Sequence, residues 1–429
     1  MDVLNKIYKK AFDKSPACGR GYKVAVLLFR KLSHFEVISC IIKKEMCAAL
    51  KKIAFLLTVI LIFTGVSPVF AEDLVPDVKS AVLMEPSTGT IIYEQNADEK
   101  LQIASVTKIM TMLLVMERID EGKLALTDIV TASKNAQSYG GSTMFLEAGE
   151  EFTVNDMLKG IAVASANDGC IAMSEHIAGN EEAFVEMMNK RAEELGMENT
   201  RFANCNGLDD DVDVSQAHST ARDVAKMSAE LIKHKKIFDY TTIWTDSLRD
   251  GKFLLANTNK LIRNYQGATG LKTGSTTKAG CCLSATASRG GMELIAVVLG
   301  APTSDMRFSS ASKLLDYGYS NYEIDKMAEE GEPMGTVNVS WGQEKAVQAV
   351  AKESYDVLNK KSEPRQTEKS VKMKSRVSAP VKKGDKLGEI TFTQDGKVVK
   401  TVDIVAGEDI EKKGFFKILA DLIKGIITG

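Results

Sequence analysis

Proline is scarce in this 429-residue chain, at 8 positions, and aromatic residues make up only 7%. Few prolines and 32 glycines exclude proline-rich and collagen-like architectures, and 44% apolar content rich in Ile, Leu and Val excludes global disorder. Excess charge of either sign is also missing, since 55 Lys plus Arg against 57 Asp plus Glu leave a formal net charge of −2. Attraction to nucleic acid needs a basic domain or stripe, so no nucleic-acid partner is expected. Membrane-crossing runs are missing too. Residues 53–63 (IAFLLTVILIF) and the shorter patches at 24–29 and 35–42 fall below the ~20 residues that a spanning helix needs.

Several common chemistries lack their materials. No GxSxG elbow occurs, and only His176, His218 and His234 follow residue 71, too little for a Ser-His-Asp triad. His218, in SQAHST, reads as a loop hydrogen-bonder. No CxxC or Cys/His cluster points to zinc. GATGLKT places Leu271 where a phosphate loop demands Gly. The acidic run at 209–214 (DDDVDV) has Val214 and Thr220 where a calcium loop needs Gly and Glu, and reads as a solvated turn after Asn206-Gly207. Neither metal nor cofactor is expected.

What is present begins with an export signal. Lys51 and Lys52 precede the apolar run at 53–63, and Pro68 and the small-residue site Val69-Phe70-Ala71 follow it. Basic, apolar, then cleavable is the order of a signal peptide, with cleavage after Ala71. Met46 stands just before it, so residues 1–45 are either an extension from an upstream start codon or a long basic lead; residues 1–71 are set aside from the fold. Cleavage leaves Cys170, Cys205, Cys281 and Cys282, spread through a large domain with its own core, so no disulfide scaffold is implied. Vicinal Cys281 and Cys282 point to opposite faces of a strand, as buried thiols.

Periodicity divides the remainder. Helical segments at 105–121, 154–178, 181–195 and 221–233 alternate with strand-like runs, among them 79–96 with a Ser-Thr-Gly turn and a pair, CCLSATAS and MELIAVVLG, around Arg289-Gly290-Gly291. This reads as an α+β domain over 72–325. From 326 to 407 the helical period gives way to alternating segments such as TVNVSWG, GEITFT and KVVKTVDIVA, a small β-rich domain. Its basic stretch at 360–383 reads as a solvated loop or edge strand. Residues 408–429 end in an amphipathic segment, with Phe415, Phe416, Leu419, Leu422 and Ile426 on one arc and Lys417, Asp421 and Lys424 opposite. Too short and too charged to span, it suits either a terminal helix docked on its own domain or a helix lying in the bilayer interface, and its place after the charged EDIEKKG lead favours the second.

Three short motifs concentrate the chemistry. In Ser105-Val-Thr-Lys108, at the start of a helix, one turn separates a hydroxyl from an amine that can act as its base. Alone, any serine capping a helix before a solvated lysine matches it. In Ser165-Ala166-Asn167, polar residues interrupt an apolar helical stretch; they cap a helix junction, or Ser165 relays a proton while Asn167 binds a substrate carbonyl. Lys272-Thr273-Gly274 lies on a strand leading into CCLSATAS, where Lys and Thr suit a carboxylate and Gly permits close backbone approach.

In this order, SxxK, SxN and KTG form the signature of penicillin-recognising serine acyl-transferases. With GSTMFLEAGE (141–150), NTNKLIRNYQGATGLKTG (257–274), VVLGAPTSDMRF (297–308) and APVKKGDKLGEI (379–390), the chain from about residue 77 onward resembles the low-molecular-mass D-alanyl-D-alanine carboxypeptidases of peptidase family S11. The resemblance implies a β-lactamase/transpeptidase-like catalytic domain, an antiparallel sheet with helices, then a β-rich domain and a C-terminal amphipathic anchor on the outer face of the cytoplasmic membrane. It implies as substrate a peptidoglycan stem peptide ending in D-Ala-D-Ala, and β-lactams as covalent inhibitors. Ser105 matches the nucleophile, Lys108 the base and Ser165 the proton relay. Asn167 matches the group holding the penultimate amide. Lys272 and Thr273 match the carboxylate site in the KTG motif that Gly274 completes, Arg307 an arginine assisting them, and the N–H groups of Ser105 and Ser275 the oxyanion hole. Where some members carry His after KTG, this chain has Ser275. A β-lactamase would need a deacylating carboxylate, and no second-motif Glu is placed for it; a non-catalytic envelope-binding protein would not need both Ser105 and Lys108.

Overall fold

The computed structural model describes residues 74–209, 213–417 and 419. The expected signal peptide, its cleavage site and most of the expected terminal helix lie outside the described residues, as do positions 210–212 of the acidic run.

The described chain opens on a hairpin, β1 (Ser80–Glu85) and β2 (Thr90–Gln95). Its turn is the predicted Ser-Thr-Gly: the Glu85 carboxylate accepts from the N–H groups of Ser87 and Thr88 at 2.9 and 2.8 Å, and Gly89 takes a positive φ. Three strands from much later in the chain, β3 (Ala268–Thr276), β4 (Gly280–Arg289) and β5 (Met292–Ala301), complete an antiparallel sheet in the order β2-β1-β5-β4-β3. The KTG motif therefore lies on an edge strand.

Central strands β1 and β5 bury both faces, which explains their unbroken apolar runs. Val82, Met84, Ile295, Val297 and Leu299 face one core, while Ala81, Leu83, Leu294, Ala296 and Val298 face the other. Each such Val, Leu or Ile contributes ~1.5–3 kcal/mol on burial. Helices α1 (Lys108–Asp120), α2 (Val154–Val163), α3 (Asn167–Ala178), α4 (Glu181–Glu194) and α5 (Ala221–Leu231) pack into the first core, and α6 (Ser304–Asn321) covers the second with Phe308, Ala311, Leu314 and Leu315. Thr153, Asn180, Thr220 and Thr303 start four of these helices, each accepting the N–H three residues on.

One expectation changes. The segment at 154–178 is two helices, broken between Val163 and Asn167, with Ser165 at φ +64°. Both halves bury apolar faces in the same core, so the hydrophobic period runs on across the break, which the polar residues at 165–167, read as a helix junction, mark instead.

Beyond α6 the described elements up to Ala406 are strands: β6 (Tyr322–Ala328), β7 (Pro333–Ser340), β8 (Ala346–Ala351), β9 (Tyr355–Lys360), β10 (Thr367–Met373), β11 (Arg376–Ser378), β12 (Lys386–Gln394) and β13 (Lys397–Ala406). β6 pairs with β9, and the other six form a sheet in the order β10-β12-β13-β8-β7-β11, antiparallel except between β7 and β11. Val337, Val347, Ile390, Phe392, Val402 and Ile404 fill its core. The basic stretch holds edge strand β10, whose charged, exposed side chains discourage pairing with other chains. The architecture is α+β followed by a β-rich unit.

All four described cysteines are free thiols; Cys282 packs into the first core and Cys281 against the second, on opposite faces of β4.

Candidate active site

Ser105 lies in a short 3₁₀ turn, Ala104–Thr107, that runs directly into α1 at Lys108. Lys108 is fully buried, and its Nζ stands 2.8 Å from Ser105 Oγ. The same Nζ donates to Asn167 Oδ1 and to the Asn206 carbonyl, each at 2.6 Å. The first two motifs thus meet at one nitrogen. Among the described residues no carboxylate hydrogen-bonds to it, and burial pushes its pKa below the ordinary 10.5. A neutral primary amine has two N–H groups and one lone pair. Here two carbonyl oxygens take the N–H groups, and the lone pair is left for the Ser105 proton.

Asn167 is held at three points. Its Nδ2 donates to the Gly140 carbonyl at 2.8 Å and its backbone N–H to Ser142 at 2.7 Å, which turns Oδ1 towards Lys108. The next residue, Asp168, is buried, and its carboxylate accepts from the N–H groups of Met144, Leu146 and Gly169 at 2.8–3.1 Å. It clamps the 140–146 loop and has little acceptor capacity left to serve as a base. Ser165 is buried at a left-handed backbone position, an arrangement that costs about 1–3 kcal/mol for a non-glycine residue. Among the described residues its hydroxyl has no hydrogen-bond partner.

The third motif approaches from β3. Lys272 is 1% exposed, and its Nζ donates to the Thr273 carbonyl at 3.0 Å. Burial pushes its pKa well below 10.5, and the charges of Lys108 and Arg307 push in the same direction. Two buried amines without carboxylate partners disfavour carrying two charges together. Thr273 Oγ1 donates to Thr258 Oγ1 at 2.7 Å. Gly274 fits where no side chain would: a Cβ there would lie 2.7 Å from the Ile103 carbonyl oxygen and 2.9 Å from the Ser105 nitrogen. Its close approach is to the backbone of the nucleophile turn rather than to open space. Ser275 is exposed at the end of this contact.

Arg307, in the first turn of α6, is buried behind β3. It donates to the carbonyls of Gly274 and Cys282 at 3.0 and 3.2 Å and to Ser304 Oγ at 3.0 Å. These bonds hold the KTG strand in position.

The 204–209 loop went unrecognised in the residue pattern. Of the acidic run read as a solvated turn, Asp213 and Val214 are exposed, but Asp209 is buried, and so is Asn206 before it, which supplies its main-chain carbonyl to Lys108. Gly207, at φ +82°, packs so closely on Ala104 that a Cβ would fall 2.0 Å from the Ala104 oxygen. Asp209 accepts from Thr276 Oγ1 at 2.5 Å through its carboxylate and from Lys278 Nζ at 2.6 Å through its carbonyl, tying the loop to the KTG strand. A backbone acceptor has no residue-type signature; Asn-Gly beside an acidic residue was the one signal available. His218 has Nδ1 2.7 Å from the Val214 carbonyl, as a loop hydrogen-bonder.

Residues 70–303 match the profile of the Peptidase_S11 family, D-alanyl-D-alanine carboxypeptidase, and residues 322–412 that of the penicillin-binding protein 5 C-terminal domain. The chain is 44% identical to the D-alanyl-D-alanine carboxypeptidase DacF of Bacillus subtilis, over 81% of this chain and 90% of the relative. Among solved structures it resembles penicillin-binding protein 5 of Haemophilus influenzae with a TM-score of 0.62 and 31% identity, covering 78% of this chain and 98% of that one. It also resembles penicillin-binding protein D2 of Listeria monocytogenes in its ampicillin-bound form, with a TM-score of 0.52 and 33% identity, over 57% of this chain and 98% of that one.

The packing at Gly274 makes a prediction. In Gly274→Ala the new methyl must push β3 away from Ser105, and a displacement near 1 Å lowers the rate of Ser105 acylation by ~10²-fold or more. Intact-mass kinetics of Ser105 acylation, with a thermal melt as a check on folding, measure it; an unchanged rate would show that the approach of β3 to the nucleophile turn is not required.

Proposed function

The chain belongs to the D-alanyl-D-alanine carboxypeptidase family, and from that premise we propose how its residues carry out the reaction. It is a serine-type carboxypeptidase of the penicillin-binding protein group, acting in cell-wall peptidoglycan metabolism. The observation that supports the assignment of roles most directly is the buried Lys108 amine, 2.8 Å from Ser105 Oγ with no carboxylate partner among the described residues.

The substrate is a stem peptide ending in D-Ala-D-Ala. Its terminal carboxylate docks at Lys272 and Thr273 and favours the positive charge on Lys272, which in turn favours the neutral amine on Lys108. Ser105 Oγ attacks the carbonyl between the two D-alanines while its proton passes to Lys108 Nζ. The backbone N–H groups of Ser105 and Ser275 receive the developing oxyanion, with each donor worth ~2.7–4 kcal/mol. Asn167 holds the penultimate amide. As the C–N bond breaks, the proton reaches the departing amine through Ser165, and D-alanine leaves. Water then cleaves the ester, Lys108 takes its proton, and Ser105 is restored. β-Lactams acylate the same serine. The saturated Asp168 carboxylate argues against the rapid deacylation of a β-lactamase.

Activity follows the charge on Lys108. Because burial lowers its pKa, the base form exists above that lowered value and is lost as pH falls through it. Burial and the charge of Lys108 hold the Lys272 pKa well below 10.5 as well, so the carboxylate that docks there is what favours its charged form.

Residues 1–71 carry the export signal, and residues 408–429 hold the enzyme on the outer face of the cytoplasmic membrane. Phe415 and Phe416, exposed to 73% and 83% at the start of a helix, support the anchor. No helix among the described residues is long and apolar enough to cross a membrane.

Two measurements test this account. D-Alanine release from a pentapeptide ending in D-Ala-D-Ala falls at least ~10³-fold in Ser105→Ala, and the variant forms no covalent adduct with penicillin; release that survives the substitution would remove Ser105 as nucleophile. Protein ending at residue 413 stays in the supernatant with lipid vesicles that sediment the complete chain, whereas equal sedimentation of both would remove the anchor.

A further inference from the structure

Thr258 belongs to none of the three motifs, yet it bonds to one of them and to the last residue of the helix that precedes another. It is exposed between two buried asparagines that hold its backbone. Asn257 donates to the carbonyls of Thr241 and Ile243 at 3.2 and 2.7 Å, and Asn259 donates to the Gly270 carbonyl on β3 at 2.8 Å. The Asn257 side-chain oxygen also accepts from the Asn259 N–H at 2.8 Å. On this fixed platform the Thr258 N–H donates at 3.3 Å to Val163, two residues before Ser165, and its Oγ1 accepts at 2.7 Å from Thr273 Oγ1.

A hydroxyl has one proton to give. In the free protein Thr273 gives it to Thr258. A carboxylate can only accept, so a substrate carboxylate at Thr273 needs that proton turned towards it. We propose that Thr258 is a positioning residue for the substrate's terminal carboxylate: its own O–H reverses to donate to Thr273 Oγ1, and the chain Thr258, Thr273, carboxylate runs in one direction. No bond to carbon forms or breaks, and each hydroxyl keeps its proton. The chain strengthens the outer bond by polarisation and fixes the Thr273 rotamer, while the bond to Val163 keeps the KTG and SxN segments in register. This rests on the carboxypeptidase reading, in which Lys272 and Thr273 receive the carboxylate.

The test compares two acyl-D-alanyl thioesters, one whose leaving group ends in a carboxylate and one carrying its methyl ester. Acylation kcat/KM is measured with the complete chain, Thr258→Val and Thr258→Ser. Val keeps the branched shape and the backbone N–H but lacks the hydroxyl; Ser restores it. The expected result is that the preference of the wild type for the carboxylate falls ~3- to 10-fold in Thr258→Val, the worth of one net hydrogen bond, and returns in Thr258→Ser. Equal loss on both thioesters would make Thr258 a spacer only, and no loss on either would leave it without a role; both overturn the proposal. A wild type indifferent to the carboxylate would overturn the proposal and the carboxypeptidase reading beneath it, whereas an equal loss of rate on both thioesters in Thr258→Val would overturn the proposal alone.

Discussion

A buried lysine amine that no carboxylate among the described residues hydrogen-bonds, within hydrogen-bond reach of a serine hydroxyl, is the constraint on which the site depends. An ammonium in such a place costs several kcal/mol in desolvation, which pushes the Lys108 pKa below its ordinary value. The amine still needs its N–H groups satisfied. Asn167 and the Asn206 carbonyl meet that need without adding negative charge, as the base role proposed for it requires. A carboxylate in either position would stabilise the ammonium and work against the chemistry.

That requirement reaches outward through the fold. Asn167 presents its oxygen because the helical stretch breaks at Ser165 and because Gly140 and Ser142 hold its other polar groups. Asn206 presents its carbonyl because Gly207 permits close packing on Ala104 and Asp209 ties the loop to the KTG strand. Gly274 lets that strand reach the backbone of Ser105, and Arg307 holds it from behind. Two segments far apart in the chain meet at the Lys108 nitrogen and a third packs on the backbone of Ser105, and the two-sided core of β1 and β5 lies beneath them.

Side-chain chemistry at short spacing was legible in the residue pattern. Ser105 and Lys108 are one turn apart, and that spacing alone places their polar atoms together. Hairpins at Gly89 and at Gly290-Gly291, and the alternation in the β-rich unit, follow from turn chemistry and period. The polar residues at 165–167 already offered a helix junction, and the break between α2 and α3 falls there. What stayed hidden were contacts between residues distant in sequence. Asn206, Thr258 and Arg307 make their contacts through, or to, backbone carbonyls and a partner hydroxyl that are distant in sequence. Residue type does not encode such contacts, and the Arg307 side chain, grouped with the carboxylate site by resemblance, donates to backbone carbonyls of the strand that carries that site and of its neighbour.

The most direct test of the central claim is a titration of Lys108 by ¹³Cε and ¹⁵Nζ chemical shift in the free protein, assigned by comparison with Lys108→Arg. An apparent pKa clearly below the ordinary 10.5, with the Lys272 signal also depressed, is the predicted result. A Lys108 that keeps its proton up to 10.5 or beyond would contradict the account, because the amine beside Ser105 would then be an ammonium at every pH at which the enzyme works.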